Sequence, residues 1–207
     1  MLSRTAIVAV SLWLMFVPTL PAAETAKRTW DADLKRWLTV EELGSIEVYL
    51  TEEQALKILF PKALKVQGEE LRLAHEQKTR IEQRIGWKFP ETFFRAFRAE
   101  SNGKVEGYAV IQETIGKHRP ITYIVGITPE GKVFAVEILV YRESKGSEVR
   151  RKRFNAQYEG KTVQDPIRIN KDIINITGAT MSVRSVSAGV KRALVLAEEF
   201  YLNQAPH

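Results

Sequence analysis

Apolar residues at helical spacing mark the C-terminal end of the chain. Between residues 181 and 201 they follow one another at intervals of three and four, which places them on one face of an amphipathic helix. This face comprises Val183, Val186, Val190, Ala193, Leu194, Ala197 and Phe200. The spacing therefore predicts one long helix that packs its apolar face against the rest of the protein.

The middle of the chain has the period-two alternation that is typical of β-strands. Segments 92–99 and 105–113 alternate in part on either side of Ser101-Asn102-Gly103, a common turn sequence. Segments 121–127 and 132–141 flank a Thr-Pro-Glu-Gly turn. These two hairpins predict a meander of about four or more antiparallel strands.

Helical segments lie before and after the strands. Thr51-Glu52-Glu53-Gln54 has the capping-box pattern, so we expect a helix from there to Pro61, which stops it. Residues 69–85 are rich in helix-forming residues and are followed by Gly86, which predicts a second helix. Residues 148–158 predict a short basic helical stretch. Helices packed on an antiparallel sheet give an α+β fold.

The first residues have the pattern of a secretory signal peptide. Arg4 supplies positive charge, and residues 6–20 form an apolar run of about 15 residues, which is short for a bilayer span. Small residues at 21–23 then offer a cleavage site. We therefore expect residues 1–23 to be removed and the mature protein to be exported, with an uncleaved N-terminal anchor as the alternative.

The amino-acid composition excludes several kinds of functional site. The 207 residues include no cysteine, which excludes disulfides, thiolate metal sites, iron–sulfur clusters and a cysteine nucleophile. The chain has three histidines, few for a multi-histidine metal site, and we expect no bound metal. The densest basic run, 150–153, lacks interleaved aromatic residues, so we expect no nucleic-acid partner. This run is either a docking patch for an anionic partner or a solvated helix face.

The most informative segment is Thr177-Gly178-Ala179-Thr180, which lies directly before the long C-terminal helix. Gly178 and Ala179 are small, so a bulky group could approach the hydroxyl of Thr180. The N-terminus of a helix offers free N–H groups and the positive end of the helix dipole, which suits a phosphate. The alternative is an ordinary N-cap, because Thr and Ser are favoured at that position in any helix.

Thr177-Gly178-Ala179-Thr180 resembles the [Ser/Thr]-Gly-Ala-Thr signature of the FMN-binding domain family. That family includes the periplasmic flavin subunits of the Rnf complex and of the sodium-translocating quinone reductase. Two further stretches support the resemblance. Residues 142–146 are similar to the family's Glu-Thr-Pro-Gly loop, and residues 154–161 are similar to its Phe-x-x-Gln-Phe-x-Gly-Lys motif. The resemblance covers about residues 90–201 and departs at Ile174, where the family usually has Asp.

The resemblance implies a periplasmic flavoprotein in which a separate FMN transferase joins FMN to Thr180 through a phosphoester, with FMN held without a covalent bond as the alternative. It assigns residues 90–207 to the FMN-binding domain and leaves residues 24–89 as an N-terminal helical region. The residues expected to hold the cofactor, the last two beside the flavin ring, are Thr180, Thr177, Gly178, Ala179, Ser182, Glu143 and Ser144.

Two functions of different classes remain open at this point. The first is an exported electron carrier that serves a membrane or periplasmic redox partner and has no substrate chemistry of its own. The second is an exported binding or interaction module that keeps the fold without the flavin. Thr180 discriminates between them, because it is essential to the first function and close to neutral in the second. No nucleophile–base–acid set presents itself, so we expect no catalytic residue.

Overall fold

A computed structural model describes residues 28–31, 35–39, 42 and 46–203. The predicted signal peptide, residues 1–23, lies outside them. The described residues form, in chain order, β1 (Thr29–Asp31), β2 (Arg36–Leu38), β3 (Glu47–Val48), α1 (Glu52–Leu59), β4 (Lys65–Arg72), α2 (His75–Ile85), β5 (Phe93–Ser101), β6 (Lys104–Ile115), β7 (Pro120–Ile127), β8 (Val133–Tyr141), α3 (Lys152–Asn155) and α4 (Thr180–Ala197). Short 3₁₀ turns, Ser147–Arg150 and Ala156–Tyr158, flank α3, and a π-helical turn, Glu198–Leu202, follows α4.

Strands β3 to β8 form one antiparallel sheet in the order β3-β8-β7-β6-β5-β4, and β1 pairs with β2 separately. The two predicted hairpins are confirmed as β5–β6 and β7–β8. The first hairpin turns at Asn102 and Gly103, which both have positive φ, and the second turns at Gly131, which also does. The sheet with its packed helices confirms the predicted α+β fold.

Helices cover both faces of the six-stranded sheet. Helix α4 lies across β6 and β7, and α2 packs against α4, so this face holds the larger core. Helix α1 covers the opposite face, where Ala55, Leu59 and Phe60 contact side chains of the strands. The long predicted C-terminal helix is confirmed, with its start at Thr180 and its regular part ending at Ala197. Among the described residues, no helix combines the length and the apolarity that crossing a bilayer requires.

The predicted capping box at the start of α1 is confirmed. The Gln54 backbone N–H donates to Thr51 Oγ1 at 3.2 Å, and the Thr51 N–H donates to Gln54 Oε1 at 2.9 Å. Both bonds satisfy N–H groups that have no partner within the helix. The helix ends at Leu59, just before Pro61, as the sequence predicts.

The prediction of one helix over residues 69–85 is wrong in its first part. Residues 65–72 form the edge strand β4, which pairs with β5 along its whole length. All its residues are exposed except Leu71, so the strand lacks the buried alternation that would have revealed it. Its Glu and Arg residues favour helices in isolation, but pairing with β5 outweighs that preference. Helix α2 begins only at His75 and ends, as predicted, before Gly86, whose φ is +82°.

Candidate functional site

Thr180 is the first residue of α4, and a tight turn presents it. Gly178 has a φ of +81°, and the Ala179 N–H donates to the Ile176 carbonyl at 2.9 Å. Ala179 occupies the N-cap position and is buried, and no side chain caps the first turn of the helix. The first N–H groups of α4 therefore have no side-chain partner within the described part of the chain.

The surroundings of Thr180 are open on the side of the turn. Thr180 is half-buried, while Thr177 and Gly178 are exposed. A Cβ placed on Gly178 would have no atom within 4 Å, so the space beside it is free. The Asn175 side-chain amide donates to Thr180 Oγ1 at 2.8 Å and holds that hydroxyl in place.

The loop that follows β8 packs under the first turn of α4. The Tyr141 hydroxyl donates to the Lys145 carbonyl at 2.5 Å and lies 2.9 Å from Ser182 Oγ. Because Tyr141 has one hydroxyl hydrogen, Ser182 donates to Tyr141. Burial raises the pKa of Tyr141 to about 12, so this phenol stays protonated at neutral pH. Gly146 has a φ of +90°, and a Cβ on it would lie 2.8 Å from both hydroxyl oxygens.

The Phe154–Lys161 segment supports the residues that precede Thr180. The Ile174 N–H donates to Gln157 Oε1 at 2.7 Å, and Phe154 packs edge-on against Tyr158. Phe154, Gln157 and Asn175 also line a cleft of about 290 Å³, which we call the Asn175 cleft. The three stretches that carry the sequence resemblance therefore meet at the start of α4.

Residues 116–195 match the FMN-binding domain family. The predicted resemblance is confirmed. The chain is also 30% identical over 106 residues to one of the subunits of the proton-translocating ferredoxin:NAD(+) oxidoreductase complex of Clostridium ljungdahlii, and the match covers 47% of this chain and 57% of that protein. The chain thus spans little more than half the length of this relative. The crystal structure of Shewanella oneidensis NqrC is similar in fold alone, with a TM-score of 0.50 and 16% identity over 75% of this chain and 89% of that one.

Two residues that were predicted to line the flavin ring occupy different environments. Glu143 is buried, and its Oε1 accepts hydrogen bonds from the backbone N–H groups of His118 and Arg119 at 2.6 and 2.9 Å. The carboxylate thereby holds the turn between β6 and β7 close to the loop after β8. Ser144 is exposed. Their contact with a flavin ring stays a prediction.

Asn175 is the site residue that sequence reasoning missed. In sequence it looks like part of a chance glycosylation sequon, Asn175-Ile176-Thr177. The FMN-binding domain family usually has Asp one residue earlier, where this chain has Ile174, which is exposed. The amide of Asn175, rather than a carboxylate, is the group that contacts Thr180. The pattern of the sequence contained no signal for this contact, because it depends on the shape of the turn.

The Asp172 carboxylate fixes the shape of loop 164–172. This loop borders α4 on the side where α2 packs. Asp172 accepts hydrogen bonds from the backbone N–H groups of Ile167 and Arg168 at 3.1 and 2.9 Å and forms an ion pair with Lys161 at 3.0 Å. Partial burial alone would raise the pKa of Asp172. The Arg168 N–H, the Lys161 ammonium and the Ile167 N–H outweigh it, so the pKa lies below its ordinary value of 3.8.

Asp172→Asn is therefore expected to remove an acid-sensitive part of the stability. A carboxyl whose pKa is lowered in the folded state stabilises above its unfolded pKa, and this contribution disappears as the pH falls through the folded value. At neutral pH the variant should be less stable by about 1 kcal/mol, because the amide accepts weaker hydrogen bonds. Urea unfolding from neutral pH down to about pH 3 measures both effects. The stabilising role of the Asp172 carboxylate would be contradicted if the variant and the wild type had equal free energies of unfolding at neutral pH and lost stability equally as the pH falls.

Proposed function

We propose that the chain is an exported flavoprotein that carries FMN in phosphoester linkage to Thr180 Oγ1 and transfers electrons to or from a membrane or periplasmic redox partner. The observation that supports this most strongly is the placement of Thr180. Its hydroxyl lies at an uncapped helix start, is partly exposed, and is oriented by the Asn175 amide. The match of residues 116–195 to the FMN-binding domain family names the cofactor that suits this position.

The residues around Thr180 fit a phosphate. The first turn of α4 contains no acidic residue, and no side chain competes for its N–H groups within the described residues. A phosphate at that position would receive hydrogen bonds from backbone amides and gain from the helix dipole. Gly178 leaves the approach open, because it has no side chain.

Each neighbouring residue has a distinct task in this proposal. Thr180 supplies the attachment oxygen, and Asn175 keeps that oxygen oriented. The buried hydroxyl of Ser182 is bound to Tyr141 and holds the loop after β8 against the helix, and its predicted part in the phosphate site stays a prediction. Bound FMN supplies one- and two-electron chemistry, while the protein sets its position and electrostatics.

The Clostridium relative supports a partner complex as part of this proposal. The Clostridium relative belongs to a complex that translocates protons and connects ferredoxin to NAD(+). We propose that this chain likewise serves a membrane redox complex, from the side to which its predicted signal peptide would export it. A dedicated FMN transferase would make the bond to Thr180, so this chain needs no nucleophile–base pair of its own.

Intact mass spectrometry tests the attachment site. The full chain is produced in a bacterial periplasm together with an FMN transferase, alongside Thr180→Ala, Thr180→Ser and the neighbouring control Thr177→Ala. We expect a mass gain of one FMN less one water in the wild type and in Thr177→Ala, and none in Thr180→Ala. Thr180→Ser keeps a hydroxyl, so it reports whether the enzyme needs only the oxygen.

Three results would contradict the proposal, and the last of them would contradict the covalent link alone. If Thr180→Ala still gains the mass of FMN, the attachment residue is another one. If the wild type is unmodified and colourless after purification, the flavin-free binding module becomes the better interpretation. A yellow protein of unmodified mass would refute the phosphoester and leave FMN bound without a covalent link.

A further inference from the structure

The basic run 150–153, which the sequence leaves open as a docking patch or a solvated helix face, lies beside the candidate site. It covers the end of the first 3₁₀ turn and the start of α3, and all four side chains are exposed. Arg151 and Arg153 line the Asn175 cleft. Because the Asn175 amide donates to Thr180 Oγ1, the run lies at the edge of the residues that present Thr180.

Two cations of the run have no partner of opposite charge. Arg151 and Arg153 form no ion pair and no side-chain hydrogen bond with any residue that the structure describes. Arg150 differs, because its guanidinium carbon lies 4.7 Å from the ring centre of Tyr49. An exposed guanidinium that its own chain does not neutralise can donate its hydrogen bonds to an anionic group on another molecule.

Two half-buried carboxylates lie near the run and reduce its charge. Glu148 lines the Asn175 cleft. Glu137 lies near Lys152, whose charge opposes the rise in the Glu137 pKa that burial causes. Neither carboxylate forms an ion pair with the run within the described part of the chain. Four exposed cations therefore outweigh the two carboxylates at this surface.

Apolar side chains are accessible next to these cations. Ile174 lines the Asn175 cleft and is 77% exposed, more than any other large apolar residue that the structure describes. Met181, which follows Thr180, is 46% exposed. An accessible apolar centre with a polar rim is typical of protein–protein interfaces, in which arginine is enriched. We call Arg151, Arg153, Ile174 and the Asn175 cleft together the Arg151 surface.

The Arg151 surface is already held in shape by the fold. The Ile174 N–H donates to Gln157 Oε1 at 2.7 Å, and the preceding residue, Ile173, is buried in the larger core. Phe154 is buried beneath the cleft and packs edge-on against Tyr158. A preformed surface loses little conformational entropy on binding, which favours its use as a docking site.

A second group of exposed cations is the rival location. Arg168, Lys171 and Arg184 line a larger cleft of about 570 Å³, on the α2 side of α4. None of the residues that line it is among the exposed large apolar residues of the described chain. This rival cleft therefore offers charge without an accessible apolar centre.

We propose that the Arg151 surface is the docking site for an acidic protein, which gives electrons to the proposed flavoprotein or takes them from it. The redox role of this partner rests on the proposed function. Carboxylates match the planar fork of an arginine, and their charge speeds the encounter. Electron-transfer complexes are small, below about 1,200 Å² of buried surface, so a few cations around one apolar centre suffice.

The Asn175 cleft favours a protein over a membrane as the partner. Its volume of about 290 Å³ can receive an apolar side chain that projects from a protein surface. A bilayer surface offers anionic headgroups to the arginines but has no single side chain that would fill the cleft. The partner is therefore expected to present carboxylates around an apolar residue.

Fluorescence anisotropy of an acidic peptide tests the docking site. The probe is a peptide in which pairs of glutamates flank single leucines, and it carries a neutral fluorescent label. The control peptide has glutamine in place of every glutamate. The full chain is used both with FMN attached and unmodified, and intact mass identifies each sample. We expect both forms to bind the glutamate peptide at least about tenfold more tightly than the control peptide, with a preference that decreases as salt is added.

Variants of the two basic surfaces show where the peptide binds. Arg151→Gln/Arg153→Gln should raise the Kd of the glutamate peptide about tenfold, and Ile174→Ser should raise it about threefold. These side chains are exposed, so the variants should fold like the wild type. Arg168→Gln/Arg184→Gln removes the same charge from the rival cleft, and it should change the Kd by less than about twofold.

Several results would overturn the docking site. If the glutamate peptide does not bind, the proposal fails, and binding to vesicles of equal parts phosphatidylcholine and phosphatidylglycerol would then assign the surface to the membrane. A loss of binding confined to Arg168→Gln/Arg184→Gln would move the site to the rival cleft. Binding that disappears when FMN is attached would show that the cofactor covers the surface.

The failure of the proposed function is seen in a different measurement. If no sample gains the mass of FMN, the flavoprotein proposal loses its support, whatever the peptide does. The unmodified chain reports peptide binding in either case, so the docking site and the attachment of FMN are tested separately.

Discussion

Gly189→Ala is expected to lower the free energy of unfolding by about 3 kcal/mol, the upper end for overpacking a close contact. Gly189 lies where α4 passes directly over Tyr123. A Cβ at this position would come 1.7 Å from Tyr123 Oη, 2.7 Å from Cζ and 3.2 Å from Thr114 Cγ2. The helix or the ring would have to move. The higher helix propensity of alanine returns only about 1 kcal/mol.

Tyr123 cannot move aside easily. Its ring is fully buried, and its hydroxyl contacts Thr114 Oγ1 at 3.0 Å and the carbonyls of Ser185 and Val186, both at 3.3 Å. Burial is also the main reason that the pKa of Tyr123 is raised. Displacing the ring would break these contacts and leave polar groups buried without partners.

Urea unfolding of Gly189→Ala, Tyr123→Phe and the double variant measures how much stability the contact between the new Cβ and the Tyr123 side chain costs. Tyr123→Phe removes the atom that would lie 1.7 Å from the new Cβ, but Cζ stays at 2.7 Å. The double variant should therefore lose less free energy than the sum of the two single variants, without returning to the wild-type value. Strict additivity, or a Gly189→Ala protein as stable as the wild type, would show that the helix shifts at little cost.

Arg192→Met is expected to destabilise the protein by about 3 kcal/mol, because it removes the partner of several buried groups. Arg192 is 1% exposed. Its Nε donates to Gln112 Oε1 at 2.7 Å, and its guanidinium donates to the Glu113 carbonyl at 3.1 Å and to Glu91 Oε2 at 3.2 Å.

Aromatic rings complete the surroundings of this buried cation. The guanidinium carbon lies 5.1, 5.2 and 4.7 Å from the ring centres of Trp87, Phe89 and Phe94. Desolvated cation–π contacts stabilise more than exposed ones, at about 2 kcal/mol or more. Methionine fills much of the volume but replaces neither these contacts nor the hydrogen bonds.

A second substitution shows how much of the loss comes from Gln112. Its Nε2 already has no partner within the described part of the protein, so Arg192→Met would leave both ends of a buried amide unpaired. Arg192→Met/Gln112→Leu should therefore be more stable than Arg192→Met. Glu91→Gln serves as a control with a small effect, because Glu91 is 34% exposed and water screens its pairing. If Gln112→Leu gives no recovery, the loss lies in the ring contacts instead.

Patterns among neighbouring residues in the sequence were enough to predict helices α1 and α4. The capping box located the start of α1, and the intervals of three and four located α4 almost to the residue. The prediction failed at β4, because an edge strand with charged residues on both faces has no signal until its partner β5 is known. Pairing across the sheet is a tertiary effect, and propensity alone cannot reveal it.

The sequence motif around Thr180 could be predicted, but the contacts between the residues of the site could not. Thr180 was placed correctly at a helix start, since small residues and hydroxyls before an amphipathic helix are a local signal. The contact of Asn175 with Thr180 and the packing of Gly146 against Ser182 depend on residues that come together only in the fold. The burial of Arg192 could not be predicted for a similar reason, because a charged residue in a helix gives no indication that three aromatic rings surround it.

The position of α4 in the chain has a consequence for the order of events during maturation. Helix α4 follows every strand of the six-stranded sheet, yet it lies across β6 and β7, and Tyr141 supports its first turn. Contacts between segments so distant in sequence form late, because loop-closure entropy must be overcome first. We therefore expect the turn that presents Thr180 to take its shape after the sheet has assembled. If a transferase attaches FMN to Thr180 as proposed, we expect it to act on the folded domain, and not on a nascent or freshly translocated chain.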